Sequence, residues 1–289
     1  DYVQQGIYLW ENSPYVKNYP ELYFLNYVLF HRTNDEEIKP CRTYFWEKIK
    51  DKVQGKTMVE AALEINHWCA GEVMYQGTDM RTGSALEIYR SGVGRCGEEA
   101  VFVVNVMRSA GIPARPVYVP RWSHCDDNHA WVEVWCDGDW HYLGACEPEA
   151  VLDKGWFTNA ASRAMMIGSR WYDRAMPDEK VIGKDGMNRI INLLGKYAKT
   201  RWITITVEDL DGTPAAGAKV RAEVMNYGEF SPIAIMEADK NGCISFETGF
   251  GSLLICAVYD GAYGEKVIDH SESYYNYKDL NDYLRGKRR

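Results

Sequence analysis

Past residue 199 the spacing of apolar side chains changes from helical to alternating, and one layer of structure cannot accommodate both periods. Ile203-Thr204-Ile205-Thr206-Val207 alternates cleanly, as do the runs at Val220–Val224, Cys243–Phe246 and Leu253–Val258. Asp211-Gly212, Lys240-Asn241-Gly242 and Asp260-Gly261 supply turns between them. Alternation puts apolar side chains on one face of each strand, so this stretch predicts a small all-β domain of the sandwich type. The chain of 289 residues thus divides into a helical N-terminal region with a mixed core (1–199), an accessory sandwich (200–270) and a tail (271–289). The tail is rich in Tyr and charge, ends in Arg285-Gly286-Lys287-Arg288-Arg289, and is expected as a surface helix or frayed end.

Ahead of residue 199 the pattern is α+β. Pro20–His31 and Glu36–Val53 carry aromatic and aliphatic residues at helical spacing. Thr57-Met58-Val59-Glu60 has the capping-box form and opens a periodic run to Cys69. A turn at Gly92-Val93-Gly94-Arg95 leads into a helix from Cys96 to Ala110, closed by Gly111-Ile112-Pro113. Strand-like runs follow at Arg115–Val119, His129–Trp135 and Trp140–Leu143, the last two flanking the hairpin signal Asp137-Gly138. Residues 151–199 read as mixed helix and loop.

Bulk composition excludes several classes. With 46% hydrophobic and 26% charged residues the chain can bury a large core. A net charge of −8 argues against a nucleic-acid surface. No apolar run reaches the ~20 residues of a membrane helix. Asp1 is not a natural start residue, so the sequence reads as a mature or trimmed chain. Its 20 Tyr and 10 Trp suit an extracytoplasmic binder of peptide or glycan, periplasmic or secreted. None of the eight cysteines (41, 69, 96, 125, 136, 146, 243, 256) forms a C-x-x-C pair, so the redox compartment stays open.

Cys96 stands at a helix start, where backbone N–H groups and the positive dipole end favour a thiolate. His129, 33 residues later, opens an apolar strand from which an imidazole can reach a helix start. Such a pair does acyl transfer: the histidine takes the thiol proton and later protonates the leaving amine. Taken alone, a cysteine in a helix is more often a buried small hydrophobe, and a strand histidine a satisfied core residue. Context changes the balance. Gly94-Arg95-Cys96-Gly97-Glu98, Ala110-Gly111-Ile112-Pro113-Ala114-Arg115 and Asn128-His129-Ala130-Trp131-Val132-Glu133-Val134 occur in that order. This arrangement resembles the transglutaminase-like superfamily, which includes peptide N-glycanases and many bacterial hydrolase-like proteins. The resemblance covers roughly residues 73–148 and implies a papain-like core with Cys96 as nucleophile and His129 as base.

The third member of the triad departs from the family pattern, which places an Asp soon after the hairpin. The direct alignment puts Gly144 there, and Glu147, before Pro148, offers a carboxylate three positions on. If Asp137-Gly138 is a two-residue turn, Cys146 falls opposite His129. If Asp139 joins the loop, Glu147 does. Only the second register, or a bulge at Gly144, brings Glu147 to the histidine; Glu147 is nonetheless the expected orienter, with an exposed loop carboxylate as the alternative.

The Cys96 backbone N–H and the Gln76 side chain are candidate oxyanion donors. Trp122, Trp131 and Trp156 are candidates for a substrate groove, His141 is a rival base, and Arg115 and Glu133 suit structural roles, as a buried ion pair or as strand-edge residues. His124, Cys125, His129, Cys136 and Cys146 match no zinc spacing, and Asp126-Asp127-Asn128 reads as turn chemistry, so neither metal nor cofactor is expected. The sandwich resembles carboxypeptidase regulatory-like or transthyretin-like domains through Thr206–Pro214, Gly217–Val220 and Ala238–Gly242 and carries no catalytic constellation. The expected function is a thiol-dependent peptidase or amidase acting on peptide, protein or glycopeptide. A cross-linking acyltransferase and a catalytically degenerate peptide- or glycan-binding module are the alternatives, and oligomeric state is not legible.

Overall fold

The computed structural model describes residues 1–79, 81–172, 179–185, 188–269 and 276–277. By contact, residues 1–118 and 129–156 form one compact unit, and residues 119–128 and 157–289 a second.

The first unit opens with α1 (Tyr2–Asn12), then α2 (Glu21–Phe24) running on as a wider π-turn over Leu25–Leu29, α3 (Arg42–Val53) and α4 (Met58–Glu72). There follow β1 (Met74–Tyr75), α5 (Ala85–Ser91), β2 (Val93–Gly94), α6 (Cys96–Ser109), β3 (Ala114–Val119), β4 (His129–Cys136) and β5 (Asp139–Leu143). The helix expected from Glu36 starts only at Arg42, just beyond Pro40. There the Asp1 carboxylate caps it, accepting the backbone N–H groups of Cys41, Arg42 and Thr43 at 2.9, 2.8 and 3.1 Å. The box at Thr57 forms as read: Glu60 N–H donates to the threonine hydroxyl at 3.3 Å and Thr57 N–H to the Glu60 carboxylate at 2.8 Å. Such a cap contributes about 1 kcal/mol.

From Glu98 to Ser109 every residue of α6 is buried, which makes it the central helix of this unit. It packs against α3, α4, α5 and β4. Gly111, at φ 83°, ends it in the left-handed turn that the Gly-Ile-Pro signal predicts. Strands β3, β4 and β5 follow in the order β5-β4-β3. Arg115 and Glu133 form the anticipated buried ion pair, at 2.7 Å.

The second unit contains α7 (Thr158–Ala161) and three antiparallel strands in the order β6-β8-β7: β6 (Gly168–Tyr172), β7 (Val181–Asp185) and β8 (Asn188–Asn192). The expectation of mixed helix and loop over 151–199 is corrected by these strands. Strand β6 buries residues on both faces, so it shows no alternation to read. Strands β9 (Arg201–Thr206), β10 (Lys219–Asn226), β11 (Glu229–Glu237), β12 (Cys243–Thr248), β13 (Leu253–Tyr259), β14 (Ala262–Ile268) and β15 (Asn276–Tyr277) complete it. They form two sheets, β11-β10-β13-β14 and β12-β9-β15, which share one apolar cluster including Val220, Leu253, Ile203 and Phe246. Edge strand β11 escapes sequence reading because Pro232 sits where its register against β10 shifts at Ala222/Glu223. Apart from β15, the tail from 271 lies outside the described residues.

Candidate active site

Cys96 is the first residue of α6, half-buried, with Arg95 at the N-cap position. Glu98 fixes this helix start. Its Oε2 accepts the Arg95 N–H at 3.0 Å and the Thr78 hydroxyl at 2.6 Å, while Oε1 accepts the Gly83 N–H at 3.0 Å. On the other side, β1 runs parallel to β2, and the Gln76 N–H donates to Gly94 O at 2.9 Å. Exposed Gln76 is thereby held beside the residue two positions ahead of Cys96.

His129 opens β4, only 6% exposed, on the strand that packs against α6. In the β4–β5 hairpin Cys136 faces Asp139, so the turn has two residues, Asp137 and Gly138, at φ 53° and 93°. Both being positive is the hairpin-compatible twist. The three-residue loop does not occur. Continued further, this register would set Cys146 opposite His129, but β5 ends at Leu143. Gly144–Glu147 then folds into a tight turn, with Cys146 at φ 58° and the Glu147 N–H donating to Gly144 O at 3.1 Å.

That turn lays the Glu147 side chain over Gly144. A Cβ on Gly144 would stand 2.8 Å from the Glu147 Cβ and would collide with its carboxylate. Glu147 thus fills the space of a side chain at 144. Trp156 Nε1 donates to Glu147 Oε1 at 2.9 Å, and its ring centroid lies 4.7 Å from that of His129. Glu147 Oε2 is buried with no hydrogen-bond partner among the described residues. Acid, indole and imidazole therefore form a connected series at the start of β4.

Two residues that sequence reasoning missed support this arrangement. Asn66, 1% exposed on α4, donates to Gly144 O at 2.8 Å and accepts the Cys146 N–H at 3.0 Å, pinning the turn from below. The available signal was an amide on a helix face otherwise lined by Ala62, Ile65 and Cys69. Glu99, 4% exposed and one helical turn past Cys96, is the other. Burial first, then the charges of Glu147 and Glu98, push its carboxyl up to about 8. Burial also raises Glu147, opposed by the Trp156 hydrogen bond. Of the two acids, Glu99 is the deeper and keeps its proton at neutral pH.

Among the three groove tryptophans, Trp131 and Trp122 are 0% and 2% exposed and pack inside, whereas Trp156 is 64% exposed. Core packing explains the first two, and only Trp156 offers a face to a bound molecule. His141 Nδ1 pairs with Asp153 Oδ2 at 2.6 Å on the partly exposed face of β5. None of the eight cysteines is joined in a disulfide. The described residues contain no group of three or more His, Cys, Asp or Glu side chains that could hold a metal ion. Among them, no helix is long and apolar enough to cross a membrane.

Residues 47–145 match the model of the transglutaminase-like superfamily. Among solved structures, a candidate cysteine protease from Cytophaga hutchinsonii is similar at 13% identity and a TM-score of 0.31, over 84% of this chain and 55% of that one. The chain therefore spans about half the length of that relative. LapG of Legionella pneumophila is similar at 13% identity and a TM-score of 0.32, over 53% and 76% of the two chains. Red sea bream transglutaminase gives 11% identity and a TM-score of 0.35, over 94% and 58%. No curated protein matches the chain.

Proposed function

Because the chain carries a transglutaminase-like domain over residues 47–145, we propose that it is a thiol-dependent amide hydrolase, a peptidase or amidase, with Cys96 as nucleophile, His129 as base and Glu147 as orienter. The observation that carries this reading is the Glu147 carboxylate filling the space beside Gly144 and joined through Trp156 to the His129 ring. An acid so placed supplies what a Cys–His pair needs to hold its imidazole in one orientation.

In the proposed cycle His129 takes the Cys96 proton and the thiolate attacks the amide carbonyl. The Cys96 N–H, at the positive end of α6, and the Gln76 amide receive the developing oxyanion. His129 then returns the proton to the leaving amine, and water, deprotonated by the same imidazole, releases the acyl group from sulfur. Burial of His129 and the exposed Trp156 beside it suit a substrate that covers the site as it binds. The substrate class we propose is peptide, protein or glycopeptide outside the cytoplasm, in keeping with the aromatic content of the chain. An amine in place of water would give the cross-linking variant of the same chemistry.

Alkylation of Cys96 by iodoacetamide across pH tests the assignment. The expected midpoint lies well below ~8.5, the value of an unactivated thiol, and rises in His129→Ala. A midpoint near 8.5 in the wild type would leave a binding module in place of an enzyme. Peptidase or amidase turnover that survives Cys96→Ala would remove the thiol mechanism altogether.

A further inference from the structure

The proposed cycle makes no use of Glu99, although it lies one helical turn past the nucleophile and is 4% exposed. A carboxyl in the first turns of a helix feels the positive end of the dipole, which by itself favours the anion. Here the opposing effects win. Burial first, then the charges of Glu147 and Glu98, hold the Glu99 proton up to about 8.

The pocket around Glu99 contains a second acid and no cation. Glu147 is laid over Gly144 by the turn that Asn66 pins to α4, and α4 packs on α6. Its Oε1 accepts the Trp156 indole N–H at 2.9 Å, while Oε2 is buried and meets no hydrogen-bond partner among the described residues. Cys146, in the same turn, lies within reach of both acids; burial and then their charges keep its thiol neutral. Behind Cys146 stands Cys69 of α4, fully buried, and β4 contributes His129, reached from Glu147 through Trp156. Glu98, on α6 itself, is taken up by the Thr78 hydroxyl and the N–H groups of Arg95 and Gly83. The Arg95 guanidinium is engaged with Glu98 at 3.5 Å, the Thr78 hydroxyl at 3.0 Å and Arg81 O at 2.6 Å. Among the described residues no Lys or Arg charge acts on Glu99 or Glu147.

Two carboxyls in one buried pocket without a cation do not ionise together, because the second charge would be neither solvated nor neutralised. Glu147 has the indole donor and the route to His129, which favours the charge there. A position needed only as a neutral filler is served as well by glutamine, whereas an acid can lose its proton. We propose, on the Cys96–His129–Glu147 reading, on which this rests, that Glu99 is a positioning residue: uncharged, it leaves Glu147 to carry the one negative charge of the pocket, and its ionisation ends the active range on the alkaline side. Once Glu99 is charged, like-charge repulsion acts on the Glu147 carboxylate over Gly144, and His129 loses its fixed orientation.

Hydrolysis of p-nitrophenyl acetate by the full chain tests this, with Cys96→Ala as blank. The Cys96 thiolate displaces p-nitrophenolate to form an acetyl thioester; water, giving a proton to His129, then releases acetate and returns the thiol. The rate of this second step should hold level near neutrality and fall above a midpoint near 8, by about tenfold or more at pH 9.5, and recover on return to pH 7. Deacylation that depends on an imidazole base alone levels off at alkaline pH instead. Glu99→Gln and Glu99→Met, both neutral at every pH, should lack the fall, with circular dichroism showing each protein folded across the range. A wild-type rate that stays level to pH 9.5, or the same fall in a folded Glu99 variant, would overturn the role of Glu99 and leave the thiol mechanism standing. If Cys96 takes no acetyl group, or turnover survives Cys96→Ala, the thiol mechanism goes and the role of Glu99 with it. Should Glu99→Gln not fold, Glu99→Met, of similar volume, decides the same point.

Discussion

Replacing Gly144 by alanine puts a methyl group into the space that the Glu147 carboxylate fills. In the proposed mechanism a displacement of about 1 Å at Glu147 costs about 10²-fold in rate, so Gly144→Ala should lower turnover by that order without unfolding the protein. Glu147→Gln should cost about 10²–10⁴-fold. The converse exchange is more telling: Gly144→Asp in a Glu147→Gly background returns an acid to the same space and should recover at least about tenfold over Glu147→Gly alone. No recovery, with both variants folded, would remove Glu147 from the mechanism. Glu99 supplies a test by pH. Its folded pKa, about 8, lies above the ordinary 4.5, so the native state holds this proton more tightly than the unfolded chain. The stability it contributes is complete below pH 4.5 and drains away as pH rises toward 8. Glu99→Gln removes that loss, and its gain in Tm should be larger at pH 9 than at pH 5. Equal shifts at the two pH values would contradict a buried, protonated Glu99.

At the scale of elements, the turn Gly144–Glu147 depends on α4 through Asn66. Asn66→Ala leaves Gly144 O and the Cys146 N–H without their partner, which should cost about 2–3 kcal/mol in urea denaturation. It should also raise the pH midpoint of Cys96 alkylation, since Glu147 loses its seat; a purely structural amide would leave that midpoint in place. The starts of α6 and β4 were legible because local rules write them: a Gly-rich turn before Cys96, turn formers before His129. The Thr57 box was legible for the same reason. Hairpin register was not, since Asp137-Gly138 serves a two- or a three-residue loop equally well in sequence. Nor was the fold-back after Leu143, because it rests on Cys146 at φ 58° and on an asparagine 80 residues away. Nothing local in the sequence sets Glu99 apart; the depth of α6 is what buries it.

Across the whole molecule, the change of apolar period near 199 marks where alternating strands begin, while contacts divide the chain at other points. Met165 and Met166 sit in the apolar cluster of β9–β14, the Thr248 hydroxyl donates to Met165 O at 2.7 Å, and Asn192 Nδ2 to Glu247 O at 2.7 Å. These partners are 55 or more residues apart, beyond the reach of any local pattern. A fragment ending at Lys199 should therefore expose Met165 and Met166, bind a hydrophobic dye and aggregate; a fragment that melts cooperatively without dye binding would contradict this. The glycine at 144 has a wider consequence. Catalogues of enzymes and their inactive cousins are commonly sorted by the letter found in one column of an alignment. If Glu147 orients His129 as proposed, such a rule would pass over this protein, because the absent side chain at Gly144 is what makes room for the acid three residues on. A rule based on occupied volume would keep it in view, and with it any other chain in which a glycine stands where an acid is expected and a carboxylate follows the next turn.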